Sequence, residues 1–179
     1  SAGERQAQVS HARVEREPIS RGRSLAIVAC IYLLALAAGA LALVYQNDPT
    51  SLTAAFVADI VATVVVFGGS LALRNASVYD AYWSVLPLAL VTVWAQQAPP
   101  DVPVLQVALV VGGVWLWGLR LTYNWARGWG GLHEEDWRYA MLRERTGRAY
   151  PAVNLLGIHL FPTVQVFAGL VPAWAAGTV

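Results

Sequence analysis

What most constrains this chain is its division into long uncharged runs. Ser24–Tyr45 contains no charged residue and is long enough to cross ~30 Å of hydrocarbon at about 1.5 Å of helical rise per residue. Four further apolar runs follow, at Leu52–Leu73, Trp83–Gln97, Val104–Ala126 and Pro151–Ala176. The fold they predict is all-α: a polytopic membrane helix bundle with five spans, at about 24–45, 52–73, 83–97, 104–126 and 151–176. Charged residues make up 13% of the chain and mean hydropathy is +0.50, against roughly 25% charged in a soluble domain. The deficit points the same way as the runs.

Residues 1–23 read as a polar arm ahead of a transmembrane bundle at 24–179. The first apolar run is too long and too far from the start for a signal peptide. The chain begins at Ser1 rather than methionine, so a trimmed end is expected. Every one of the 12 basic residues is arginine, and their placement orients the bundle. Five lie in the arm, Arg74 lies between the second and third runs, and Arg127, Arg138, Arg143, Arg145 and Arg148 follow the fourth. The turns Gln46–Ser51 and Ala98–Pro103 hold none; their charges are Asp48 and Asp101. The positive-inside rule then sets the amino terminus in the cytoplasm and the carboxyl terminus outside, in what reads as a bacterial inner membrane. The net charge is +1 and acids interleave with the arm's arginines, which argues against nucleic acid as a partner. Cys30, the single cysteine, excludes an internal disulfide.

Polar residues inside the runs carry the functional interest. Arg120 lies about 9 Å deep by helical rise, and a charge at such depth needs a reason. Arg120, Asn124 and Arg127, spaced i, i+4 and i+7, share one helix face. Asp80 and Tyr82 open the third span from the same side, and Asn154 and His159 lie in the inner part of the fifth. The expectation is an inner polar cluster of these residues, with Asp80 and His159 as the nearest partners for Arg120. A plainer account has arginines snorkelling to the interface and His159 bonding a carbonyl freed by Pro162. Asp59 sits toward the opposite third, one turn from Thr63, with no role assigned. Ala35 and Gly39, four apart, would let two helices approach closely.

Beyond the fourth span, Gly128, Gly130 and Gly131 permit a turn. Residues 134–146 then show helical pairing, Glu134 with Arg138 and Glu144 with Arg148, as a short interfacial helix. HEED invites a metal reading, but the two-histidine HExxH spacing is absent, so no metal is expected. GWGG lacks the lysine of a phosphate loop. Haem at His159 would need a second histidine, and His11 and His133 lie outside the spans.

The segments NASVYDAYWSVLP, WGLRLTYNWARGWGGLHEEDWRY and GRAYPAVNLLGIHLFPTVQVF resemble the bacterial, largely uncharacterised branch of the steroid 5-alpha-reductase-like integral membrane family. The resemblance covers about 75–167 and concerns that family's amino-terminal half. It implies a reductase that takes NADPH from the cytoplasmic side and reduces a carbon–carbon double bond conjugated to a carbonyl in a steroid- or lipid-like substrate. It implies Asp80, Arg120, Asn124, Arg127 and Arg138 as cofactor-binding residues, with the guanidiniums on phosphates. Hydride addition builds an enolate that needs a donor at the carbonyl oxygen, for which Tyr82 and His159 are the catalytic candidates. Relatives continue into a second half with a motif like RHPNY, which this sequence lacks; completion by a missing half or a partner chain is expected. The alternative is a non-catalytic membrane subunit docking a protein or lipid through its Arg/Trp-rich cytoplasmic face.

Overall fold

The computed structural model describes residues 19–178, which are helical with no strand among them. The helices are α1 (Arg21–Val44), α2 (Leu52–Leu73), α3 (Tyr82–Gln96), α4 (Val104–Gly128), the short α5 (Trp137–Thr146), α6 (Tyr150–Val153) and α7 (Phe161–Thr178). A π-helical turn, Asn154–Leu160, joins α6 to α7 into one fifth span. Five helical segments are long and apolar enough to cross a membrane, the pattern of an integral membrane protein. The expected spans agree with the observed ones to within three residues at each end. Most of the amino-terminal arm, residues 1–18, lies outside the described residues, while Arg21 and Arg23 already belong to α1.

Small residues hold α1 against α2. Ala35 is fully buried, and Gly39 approaches α2 so closely that an added Cβ would sit 3.0 Å from the Ala58 carbonyl oxygen. Lipid tails are as apolar as leucine, so close packing of this kind drives helix association in place of the hydrophobic effect. α3 is the buried centre, presenting Tyr82, Leu86, Leu90, Val91 and Trp94 to the core. Its length alone falls short of a bilayer, and a 3₁₀ turn at Ala76–Tyr79 extends it. This corrects the reading of Arg74–Tyr82 as a polar connection: Ala76, Ser77, Val78, Tyr79, Ala81 and Tyr82 are all buried. Their polar neighbours bond to other chain segments, so no solvent is needed.

The interfacial helix starts at Trp137 rather than 134, because the acids before it are used elsewhere. Glu134 accepts from Gly130 N (2.9 Å), Glu135 holds Arg143 in a two-pronged ion pair (2.7 and 2.8 Å), and Asp136 caps α5 through Arg138 N (2.8 Å). The 129–136 segment is laced to the bundle. Asn75 Nδ2 donates to Leu132 O and Glu134 O, Ser77 Oγ accepts from Asp136 N, and Ser24 Oγ accepts from Leu132 N. Arg21 donates to the carbonyls of Ala126, Arg127 and Trp129 at the carboxyl end of α4, where orphan acceptors favour a cation. HEED is thus a structural brace.

Candidate functional site

The fifth span contributes its unusual backbone first. Pro162 has no N–H, so the carbonyl one turn earlier loses its donor, and the helix widens into the π turn. Within that turn His159 Nδ1 bonds Asn154 O at 3.1 Å. A carbonyl only accepts, so Nδ1 carries the proton and the neutral ring turns the Nε2 lone pair inward. The expectation of a histidine on a backbone carbonyl holds, although the carbonyl is Asn154's.

A buried polar column runs from here through the bundle. The His159 ring packs on Tyr79 (centroids 4.7 Å) and edge-on to Phe67 (5.3 Å). Tyr79 Oη and Thr163 Oγ1 share a hydrogen bond of 2.8 Å, Thr163 Oγ1 and Thr63 Oγ1 share one of 3.0 Å, and Thr63 donates to Asp59 at 3.4 Å. Tyr82 packs beside Tyr79 and Tyr32. Its hydroxyl is buried next to Thr63 but makes no hydrogen bond in suitable geometry. His159 Nε2, Asn154 Oδ1 and Ser70 Oγ are likewise buried without a partner.

Each end of the column meets a space. Asp59 and Tyr82 line a cavity of about 10 Å³ together with Trp83, Pro87 and Thr163, room for about one water. Val166 and Leu170 close it, and the same two residues line an apolar groove of about 310 Å³ with Gly113, Trp117 and Gly169. At the arginine-rich end, Asn154 and Ser70 line a cleft of about 480 Å³ with Arg74, Arg143 and Tyr150. Arg74 adopts the left-handed conformation (φ 51°, ψ 39°) after α2, which favours glycine and strains an arginine by roughly 1–2 kcal/mol.

The anticipated cluster therefore divides. Asp80 and Asn124 line a second cleft, about 610 Å³, whose walls are acidic: Glu134, Glu135 and Asp136. Asp80 accepts from Tyr139 Oη at 2.6 Å, not from an arginine. Tyr82 and His159 belong to the column, joined through Tyr79. Arg120 and Arg127 are exposed on α4, away from both Asp80 and His159. Arg138 pairs with Asp136 at 2.6 Å on the surface, and its hydrogen bonds hold the Asp136 carboxyl below the usual carboxylate range. Sequence reading missed Arg74 and Arg143 as a cationic pair, and Tyr79 and Thr163 as links. Asp59 was the one missing member with a signal, being the lone acid of its span.

A family model described as "Protein of unknown function (DUF1295)" matches residues 66–178, more than half of the chain. No curated protein and no solved structure matches it.

Proposed function

We propose that this chain, which belongs to the DUF1295 family, is a membrane-embedded, NADPH-dependent reductase of a conjugated carbon–carbon double bond in a steroid- or lipid-like substrate. The observation that carries the reading is the cavity lined by Asp59 and Tyr82 where it adjoins the apolar groove. An enone entering from the lipid side brings its carbonyl oxygen to a dry wall holding an uncommitted phenol. Tyr82 Oη donates to that oxygen and stabilises the negative charge that develops on it. Asp59 stands on the same wall, anchored by Thr63, and in its protonated form supplies a second donor. Apolar walls exclude water, which strengthens both interactions. The likeness of the sequence to steroid 5-alpha-reductase-like proteins supports the same chemistry.

The arginine-lined cleft fits the cofactor. Guanidiniums of Arg74 and Arg143 suit phosphates, and the uncommitted Ser70 Oγ and Asn154 Oδ1 suit polar groups of a nucleotide. NADPH supplies the hydride when bound. The phosphate role expected for Arg120, Arg127 and Arg138 passes to this pair, since Arg138 is already paired and the other two face away. With the arginine-rich end in the cytoplasm, the cleft opens on the cytoplasmic nucleotide pool.

The test uses the full chain in a lipid nanodisc. NADPH raises its melting temperature, and Arg74→Gly, which removes the guanidinium while relaxing the backbone, abolishes the rise. Tyr82→Phe ends NADPH oxidation with an enone steroid yet leaves stability intact, because it deletes an unpartnered hydroxyl. Absence of any NADPH-dependent shift overturns the reading.

A further inference from the structure

α4 is the anomaly of the bundle. In its most apolar window 6% of residues are buried, against 67% for Ala76–Gln96, and Gly118 is the one buried position. Roughly opposite Gly118 runs a stripe of Leu105, Leu109, Gly112, Leu116, Leu119 and Tyr123, all exposed. Their alternating four- and three-residue spacing is that of a helix–helix seam. Gly112 leaves the middle of the stripe open: a Cβ there would meet nothing within 4 Å.

Arg120 flanks this stripe. It lies eight residues before the end of α4 at Gly128, about 12 Å by helical rise. Centring the helix on ~30 Å of hydrocarbon leaves its Cα about 8 Å inside. Side-chain stems tilt toward a helix's amino end, which for α4 is the far side of the bilayer. The Arg120 stem thus sets off toward the midplane, away from the nearer headgroups. Among the described residues no hydrogen bond or ion pair reaches its guanidinium. Lipid tails offer no acceptor at that level.

We propose that this face of α4 is the docking surface for a further transmembrane helix whose apolar seam carries a carboxylate level with Arg120. A second copy packed α4 to α4 about a two-fold axis would oppose Arg120 with Arg120, and a lipid phosphate sits at the level from which the stem points away. A matched carboxylate satisfies all five guanidinium donors at once or in part, with two-pronged geometry. The inference is independent of the reductase reading, and its test reads association without turnover.

The exposed lone thiol, Cys30, takes a donor fluorophore on the full chain in phosphatidylcholine vesicles. The probes are acceptor-labelled synthetic polyleucine helices bearing glutamate, glutamine or leucine at the matching depth. The glutamate helix is expected to associate at least tenfold more tightly than the leucine helix, with glutamine between, and Arg120→Leu erases the tenfold preference without lowering the melting temperature. Equal association of the three helices, or a preference that survives Arg120→Leu, overturns the proposal. So does either rival outcome: displacement of the glutamate helix by phosphatidylglycerol, or energy transfer between copies of the chain that Arg120→Leu abolishes.

Discussion

Gly118→Ala tests the packing on which the groove and cavity depend. The added methyl would lie 2.6 Å from the Ser84 carbonyl oxygen and 2.7 Å from Leu88 Cδ2, where ordinary contact begins at 3.4 Å. Leu88 can turn away, but Ser84 O is backbone of α3. α4 must therefore retreat by about 0.8 Å. The bond between Ser84 Oγ and Thr122 Oγ1, 2.9 Å, spans the same crossing, and that retreat takes it beyond hydrogen-bonding distance. Overpacking costs about 1–3 kcal/mol, and an interhelical hydrogen bond in a membrane adds about 0.6 kcal/mol. The expected loss is thus about 2–3 kcal/mol, read by reversible unfolding in bicelles. Gly112→Ala, where the Cβ meets open space, serves as the control and should stay within about 0.5 kcal/mol of the parent. If Gly118→Ala also stays within that margin, α4 does not pack on α3 through this contact, and the account of the groove fails with it.

Two further outcomes follow from the polar contacts. Thr163→Val strands the Tyr79 and Thr63 hydroxyls and should cost about 1–3 kcal/mol for a buried polar group left unsatisfied; adding Tyr79→Phe should recover part of the loss in the same unfolding assay. The Asp136 carboxyl is depressed by Arg138, so its contribution to α5 is complete above the unfolded carboxylate range near ~3.9 and is lost as pH falls through the lower folded value. Hydrogen exchange at Arg138–Ala140 should accelerate on acidification in the parent, whereas Asp136→Ala, weaker by about 1 kcal/mol, should show no such step.

What the sequence discloses here is whatever depends on neighbours within a turn or two. Span limits follow from hydropathy, the Asp59–Thr63 bond follows from i, i+4 spacing, and the approach at Gly39 follows from small residues four apart. The column does not, because Tyr79 and Thr63 meet Thr163 across separations of 84 and 100 residues. Arg74 and Arg143 share a cleft for the same reason: a left-handed residue ends α2 and a brace aligns α5, and neither has a sequence signature strong enough to join them. The acids of HEED look like a site in the sequence because charge density marks ligands and braces alike. Only their partners, Gly130, Arg143 and Arg138, separate the two. Arg120 was misjudged in one respect. Shared depth suggested Asp80 and His159 as partners, but depth fixes only one coordinate, and rotation about α4 sends the side chain outward.

That the uncommitted polar atoms fall along one line is the strongest reason to regard the column as more than packing. A bundle selected for stability alone gains nothing from Tyr82, since phenylalanine fills the same volume without burying a hydroxyl that lacks a partner. The same holds for a histidine whose Nε2 meets no donor, and for Asn154 and Ser70 beneath it. Scattered, four such atoms would be four separate costs. Here they lie between an arginine-lined cleft and a cavity facing lipid, on elements widened by Pro162 and held by Thr163. Each atom is satisfied only by something that enters from one end or the other, which is how a site that receives a polar ligand and an apolar one from opposite sides must be built.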